Sequence, residues 1–284
     1  GSLAHGGFSA LTSDVDAALL IDGPLELSDG TAIENISKDV ALGSLDEYGC
    51  LAERISIFWT SPEALTTKQS PLNCDARSVV TGRFGAVDQA DWWQYGRLLA
   101  GEDVRSGLDR YTVPSKTELI AETSNFARNE LGSTCSRDDL LVSTTEALAQ
   151  QDARAFSKAV LFPLRCLWTA RTGQVGAAED AVKWYLAQDT VTKSVRQVVE
   201  AALVAKHGGF DDHGALAVIE ELPHYGMAPS AEMAACDRAH LQQLLEEALV
   251  PIYVEFVERY AGLAAMSSDR WGALAFEKAR AGLE

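Results

Sequence analysis

The sequence predicts an α+β fold, with a small α/β domain at residues 1–112 followed by an all-helical domain at residues 113–284. Two apolar, strand-like runs at residues 17–21 and 54–59 lie in the first part of the chain and end at turn residues. Beyond about residue 88, apolar residues recur at steps of three and four, which is typical of amphipathic helices. The change of pattern along the chain predicts two domains.

The two predicted strands are short. The first, AALLI, ends at Asp22-Gly23-Pro24, and the second, RISIFW, ends at Ser61-Pro62. Residues 31–51 are mixed and interrupted by glycine. For this stretch we expect a connection, which leaves room for a further strand.

The helical part of the chain has clear start and stop signals. Ser115-Lys-Thr-Glu118 has the spacing of a capping box, in which the first and last side chains bond each other's backbone N–H. Pro163 and Pro251 are expected to kink or divide their helices. We predict helices at residues 90–99, 115–131, 154–171, 177–188, 191–206 and 231–264.

Composition indicates a globular protein of the cytoplasm. The chain has 284 residues, of which 47% are hydrophobic, enough for one large or two ordinary domains. It has neither an apolar run of the roughly 20 residues that span a bilayer nor the layout of a signal peptide. Its five cysteines are scattered without metal or disulfide spacing, and we expect them to be reduced packing residues.

The formal net charge of −17 restricts the partners. Such a field repels nucleic acid and anionic membranes and attracts cations. We therefore expect no nucleic-acid or membrane partner and favour a small cationic molecule. The alternative is that the acidic surface only keeps the protein soluble.

The first sixteen residues carry the strongest chemical signal. Asp14 and Asp16 are two apart at the entrance of the first strand, so both carboxylates point to one face and can share divalent ions. Mg²⁺ commonly uses a pair of carboxylates together with substrate phosphates. Gly1-Ser2 is expected to start a helix whose free N–H groups, with the Ser2 hydroxyl, cradle phosphate.

The order Gly-Ser-x-Ala-x-Gly, a short spacer, Ser-Asp-x-Asp and an apolar strand resembles the signature of the nucleotidyltransferase superfamily. The resemblance implies a polymerase-β-like catalytic domain that uses Mg²⁺ and ATP as the nucleotide donor. It assigns the metal and the chemistry to Asp14 and Asp16, and the nucleotide to Gly1, Ser2 and Ser13.

Members of this superfamily need a third carboxylate on a neighbouring strand, as metal ligand or as base for the attacking hydroxyl. Glu53 is the acid at the head of the second predicted strand, and by alternation it shares a face with Ile55 and Ile57. We predict that it completes the catalytic set. The alternative is that Glu53 only caps a solvated strand end.

The second half of the chain narrows the resemblance. Residues 162–184, which contain Phe-Pro-Leu-Arg, Thr-Gly-Gln-Val and an acidic-alanine helix ending at Trp184, look like the helical domain of streptomycin/spectinomycin adenylyltransferases. By that resemblance Arg165 would reach the ATP phosphates, whereas the alternative is an arginine on a solvated helix face. Ala178 stands where the family has a nucleotide-binding lysine, and the drug-binding acids do not recur in register.

Three other features favour packing over chemistry. His207-Gly-Gly-Phe-Asp-Asp-His213 matches no zinc spacing. The aromatic set Trp92, Trp93 and Tyr95 is expected to pack in a core more than to stack on a ligand. The apolar stripe at residues 241–263 is predicted to form the core of a helical bundle.

Together these observations predict transfer of AMP from ATP to a hydroxyl of an aminoglycoside-type antibiotic, an antibiotic-resistance activity. One alternative keeps the fold and changes the acceptor to a lincosamide, a protein or a tRNA. Another is a catalytically inactive domain that senses nucleotides or mediates interactions. The acceptor, its modified hydroxyl and the oligomeric state stay open.

Overall fold

The computed structural model shows a mixed α+β protein that is mostly helical. It divides into two compact units, Gly1–Leu119 and Ile120–Glu284. The predicted domain boundary after residue 112 borders a stretch outside the described residues and stays a prediction. The structure describes residues 1–24, 26–43, 54–66, 72–75, 79–80, 85–108, 113–131, 137–210 and 231–264.

The first unit contains a four-stranded sheet, ordered β1-β2-β3-β4. β1 and β2 are parallel, and the two following pairs are antiparallel. Both predicted strands are confirmed, within two residues at each end. The strands are β1 (Val15–Leu20), β2 (Ile55–Thr60), β3 (Leu72–Asp75) and β4 (Val79–Val80).

The helices described in the first unit are short except for one. They are α1 (Ser2–His5), α2 (Leu27–Gly43), α3 (Pro62–Thr66) and α4 (Ala86–Tyr95), followed by a 3₁₀ turn at Val104–Gly107. The expectation of a connection or strand at residues 31–51 is wrong for its first part, because α2 extends to Gly43.

Packing on the sheet explains why α2 forms despite its glycines. Ile33 and Trp59 of β2 are buried together, with Ile21 and Ile57 against them. At Gly30, one turn before Ile33, a Cβ atom would lie 3.3 Å from the Trp59 ring, so the missing side chain lets the helix approach the indole closely. The glycine that interrupts the sequence pattern is therefore a packing residue.

The second unit is helical in its described residues. α5 (Lys116–Leu131) leads into it, and α6 (Arg137–Ala149), α7 (Ala153–Thr172), α8 (Ala178–Leu186), α9 (Lys193–Gly208) and α10 (Ala231–Ala264) follow. Both α7 and α10 continue through their prolines, so Pro163 and Pro251 do not divide them. Within the part of the chain that is described, no helix is long and apolar enough to cross a membrane.

The described helices of the second unit share one hydrophobic core. α7 lies at its centre and contacts α6, α8, α9 and α10. The apolar stripe predicted at residues 241–263 is confirmed from Leu241 to Phe256 as part of this core. Its largest buried side chains are Leu148, Phe156, Val160, Leu164, Leu167, Leu241, Leu245, Leu249, Ile252 and Phe256.

The capping box predicted at the start of α5 is present. The Ser115 hydroxyl accepts a hydrogen bond from the Glu118 N–H at 3.3 Å, and the Ser115 N–H donates to Glu118 Oε2 at 2.8 Å. Side chains cap other described helices as well. Asp152 accepts from the Ala155 N–H at the start of α7, and Thr192 accepts from the Val195 N–H at the start of α9.

Candidate functional site

The two aspartates predicted as metal ligands lie at the start of β1. Asp16 is the second residue of the strand and is exposed, and Asp14 directly precedes the strand and is partly buried. Both lie at the strand entrance, as predicted. Carboxylates placed there are accessible to a cation without disturbing a packed core.

The loop before these aspartates is closed by its own serines. The Ser13 hydroxyl oxygen accepts from the Ser9 N–H at 3.0 Å, and the Ser13 N–H donates to the Ser9 carbonyl at 2.9 Å. Ser9 is buried. Ser13, predicted to bind nucleotide, therefore also has a structural role, while its hydroxyl proton remains a potential donor.

Arg54 ties the second strand to the same loop. Its Nη1 donates to the Leu11 carbonyl at 2.7 Å, so the residue before β2 holds the chain just ahead of Asp14. The sequence did not single out Arg54, because only the parallel pairing of β1 and β2 brings these distant segments together.

Gly1 packs directly against Asp16. A Cβ atom on Gly1 would lie 2.8 Å from both Cβ and Cγ of Asp16 and would also collide with Oδ2. Since the Asp16 Cβ is fixed to the strand backbone, rotation of the Asp16 side chain does not relieve that contact. α1, which begins at Ser2, contacts both β1 and α4, and Gly6 ends it with a left-handed φ of 92°.

The strand register determines which residues of β2 share a face with Asp16. Asp16 pairs with Ser56, and Val15 pairs with Ile55. Because paired residues on neighbouring strands point to the same face, Ile55 and Ile57 lie on the face opposite to Asp16. Glu53 lies outside the described residues, so its role as the third carboxylate stays a prediction. A residue that shares the face of Ile55 by strand alternation would not share the face of Asp16.

Two further acids on α4 adjoin this region. Burial raises the pKa of Asp88 from 3.8 to about 6, and the negative charge of Asp16 adds to the shift. Asp91, one turn later, is buried and accepts a hydrogen bond from the Gly1 nitrogen. Sequence reasoning missed both acids, since their spacing also fits an ordinary solvated helix face.

The three aromatic residues of α4 are partly buried and make ring contacts within the first unit. Trp92 and Trp93 form an edge-to-face pair with centroids 5.9 Å apart. Tyr95 contacts the His5 ring in the same manner at 5.7 Å. These contacts favour the packing role expected from the sequence.

Arg105 holds the C-terminal end of α4. Its Nη1 donates to the Gly96 carbonyl at 2.7 Å, and its Nε donates to Asp103 Oδ1 at 2.8 Å. The hydrogen bonds from Arg105 lower the pKa of Asp103 to about 2. The helix that bears Asp88 and Asp91 is thus capped by a cation suited to the negative end of its dipole.

Arg165, predicted to bind ATP phosphates, lies in the second unit. It is exposed on α7, between the buried residues Leu164 and Cys166. Burial raises the pKa of the Cys166 thiol to about 12, so this cysteine is an unreactive packing residue. The exposed guanidinium suits both the predicted phosphate contact and a solvated helix face.

A cluster of charged residues joins α8 to α9. Glu179 Oε1 accepts from Lys206 Nζ at 2.7 Å and lies 2.6 Å from His207 Nε2. Ala178, where the resembled family has a lysine, is buried beside this cluster. Asp211 to His213, the rest of the histidine-rich motif, lie outside the described residues.

The donor set at β1 fits Mg²⁺ in its chemistry. Among the described residues there is no group of three or more His, Cys, Asp or Glu side chains placed to hold a metal ion. Mg²⁺ does not require such a group, because one or two carboxylates hold it together with water and substrate phosphates. Asp14 and Asp16 supply hard oxygen ligands of this kind.

Comparison with known proteins leaves the family unassigned. No protein-family model matches this chain. No curated protein matches its sequence at a significant level.

Proposed function

We propose that this protein is a Mg²⁺-dependent nucleotidyltransferase that moves AMP from ATP to a hydroxyl of a small cationic molecule of the aminoglycoside class. The observation that supports it most is the contact between Gly1 and Asp16. This contact brings together two short motifs, Gly-Ser and Asp-x-Asp, whose contacting residues Gly1 and Asp16 are fifteen positions apart in the chain. In phosphoryl-transfer enzymes, phosphate-binding backbone and metal-binding carboxylates meet in this way.

In this proposal the residues of the first unit position the nucleotide. Gly1 and the Ser2 hydroxyl contact its phosphates, Ser13 contributes a hydroxyl donor, and Asp14 and Asp16 hold the metal. Bound Mg²⁺ would neutralise charge on the phosphates. Arg165 is proposed to add a forked, permanently charged donor.

The chemistry needs a base for the acceptor hydroxyl, and we assign this role to Glu53. Its carboxylate takes the hydroxyl proton as the oxygen attacks the α-phosphorus. A bond forms between that oxygen and phosphorus, and the bond to the β-phosphate oxygen breaks, so pyrophosphate leaves with its electron pair. Positioning and charge neutralisation supply most of the acceleration.

The acceptor class rests on charge. The net charge of −17 favours capture of a polycation, and Asp14, Asp16, Asp88 and Asp91 concentrate negative charge in the first unit. The negative charge supports a cationic class of acceptor and does not identify the hydroxyl that is modified.

The direct test is incubation with MgATP and a panel of aminoglycosides, aminocyclitols and lincosamides, read by mass spectrometry for a gain of one AMP. We expect transfer to a cationic member of the panel. Asp14→Asn and Asp16→Asn should each lower the rate about 100-fold or more, because each removes a ligand of the metal that stabilises the transferring phosphoryl group.

Both substitutions should leave melting temperature nearly unchanged, since Asp16 is exposed and Asp14 is only partly buried. Asp180→Asn, which removes an exposed carboxylate of α8, is the charge-matched control. MgATP binding without transfer to any member of the panel would contradict the proposed acceptor class, and would favour an inactive nucleotide-sensing domain or an acceptor outside the panel. Full activity of either variant at saturating Mg²⁺ would overturn the metal assignment.

A further inference from the structure

One face of α4 is directed at the first turn of the chain. Asp91 and Tyr95, four residues apart, both contact groups of the segment Gly1–Gly7. Asp88, three residues before Asp91, is close enough for its pKa to respond to Asp16. This face of α4 therefore adjoins Gly1 and Ser2, here called the Gly-Ser turn, which bind the nucleotide phosphates in the proposed function.

Asp91 contacts both ends of α1. Its Oδ2 accepts from the Gly1 nitrogen, and its Oδ1 lies 4.0 Å from Nε2 of His5. Asp91 is only 8% exposed, and within the described residues Oδ1 has no hydrogen-bond partner. A buried carboxylate oxygen without a partner is costly, so its position demands a reason.

The histidine is oriented to face that oxygen. The Gly7 N–H donates to His5 Nδ1 at 3.3 Å, so Nδ1 is the acceptor and the ring proton lies on Nε2, which points at Asp91. The His5 side chain is 4% exposed, and the edge-to-face contact with Tyr95 fixes its ring. A small movement of α1 toward α4 would close the remaining distance to a hydrogen bond.

We propose that Asp91 is a positioning residue for the nucleotide site. It holds Gly1 at one end of α1 and faces His5 at the other, and so keeps the Gly-Ser turn against Asp16. The inference rests on the proposed function, since the turn matters for catalysis only if it binds phosphate. Asp91 itself touches neither metal nor phosphate in this account.

The test compares Asp91→Asn and Asp91→Ala with the wild-type chain and with Asp180→Asn as control. Asparagine keeps an acceptor for the Gly1 nitrogen but can place an amide donor against His5 Nε2. Alanine removes both contacts. We expect the Kd for MgATP to rise about 10–100-fold in Asp91→Ala, as for other residues that support a metal or ligand shell, and by less in Asp91→Asn.

Hydrogen exchange gives a second readout that does not depend on activity. The amides of residues 2–8 should exchange faster in both Asp91 variants, while those of α7 keep wild-type protection. Asp91→Asn retains the shape of the side chain, so the test can still be made if Asp91→Ala does not fold. Wild-type exchange at residues 2–8 together with a wild-type Kd for MgATP in both variants would overturn the positioning role of Asp91.

The two proposals fail differently. If the wild-type chain binds no MgATP, the proposed function is wrong and the positioning role for nucleotide falls with it. If wild type binds MgATP and the Asp91 variants bind it equally well, the nucleotide site stands and only the role of Asp91 is wrong. A rise in Kd in the Asp91 variants, with exchange altered only at residues 2–8, supports both.

Discussion

The backbone of Gly1 lies so close to the Asp16 side chain that even a methyl group at position 1 would collide with it. Gly1→Ala should displace either the turn or Asp16, because the added methyl group would overlap Cβ and Cγ of Asp16. We expect MgATP binding to weaken about tenfold or more, since phosphate and metal ligands would no longer be aligned. Calorimetric titration of MgATP gives the Kd directly.

Gly107→Ala is the matched control for this substitution. A Cβ atom at Gly107 meets nothing within 4 Å, and the residue lies in the same unit. It should bind MgATP as wild type does. Equal Kd values for Gly1→Ala and Gly107→Ala would show that the contact with Asp16 has no bearing on the nucleotide.

Glu53 can be tested by one substitution that separates three roles. If Glu53 is the general base, Glu53→Gln should lower kcat for AMP transfer by about 10²–10⁴, while MgATP binds with near-native affinity. A metal ligand would lose MgATP binding as well. A strand cap would lower the melting temperature with little change in kcat.

Glu63→Gln, at an exposed acid of α3, serves as control for the loss of one carboxylate. Wild-type kcat in Glu53→Gln would remove this residue from the site. The register of β1 and β2 places Ile55 on the face opposite to Asp16. For this reason the kcat of Glu53→Gln is the measurement to make first.

Individual residues differ in how far the sequence could predict them. Asp14 and Asp16 were predictable because a two-residue spacing at a strand entrance has a local geometric meaning. Asp91 and Arg54 were not, since their partners are 90 and 43 residues away in the chain. Contacts of that separation depend on tertiary packing, which local pattern does not encode.

The long helices with an uninterrupted apolar pattern were predicted well, but the helix predicted at residues 90–99 lies instead at Ala86–Tyr95. Helices with polar or small residues on the buried face were missed. α6 buries Thr144 and Thr145, whose hydroxyls donate to the Leu140 and Leu141 carbonyls at 2.7 and 2.6 Å. These internal hydrogen bonds satisfy the buried hydroxyls, so the helix tolerates residues that break its apolar periodicity. In α2, Gly30 packs against Trp59 and likewise interrupts the apolar periodicity of its helix.

The contact between α8 and α9 predicts a pH-dependent contribution to stability. Burial raises the pKa of Glu179, but hydrogen bonds from Lys206, from its own backbone and from His207 outweigh it and hold the pKa below its usual 4.5. A lowered carboxyl pKa stabilises the fold above about pH 4.5, and this stability is lost as the pH falls through the folded-state pKa.

Glu179→Gln should therefore destabilise the protein by on the order of 1 kcal/mol at pH 7, with the difference shrinking toward pH 3. Urea unfolding at the two pH values, followed by circular dichroism, measures it. Glu200→Gln is the matched control, because Glu200 is a partly exposed acid of α9 whose Oε1 lies 3.7 Å from Nη1 of Arg196. A Glu179→Gln effect that is equal at both pH values would contradict the ionic account.

At the scale of the whole molecule, the α+β class and the helical character of the second unit followed from the change of periodicity along the chain. That reading needed only local pattern, because strands and helices differ in the spacing of their apolar residues. Gly1 contacts both Asp16 and Asp91, which are distant from it in the chain, and no local pattern determines how such segments pack.

The net charge of −17 leads to a prediction for the whole protein. If the acceptor is a polycationic aminoglycoside, its capture by an acidic protein is largely electrostatic and should weaken as salt is added. The Debye length falls from about 30 Å at 0.01 M to about 8 Å at 0.15 M ionic strength, so distant carboxylates stop contributing. We expect the Kd of the acceptor to rise about tenfold or more over this range, measured by calorimetry with MgATP held saturating. A neutral sugar-like ligand of similar size is the control, since its affinity should not depend on salt. A flat Kd for every cationic candidate would instead indicate an uncharged acceptor, and would leave the acidic surface as a property that serves solubility.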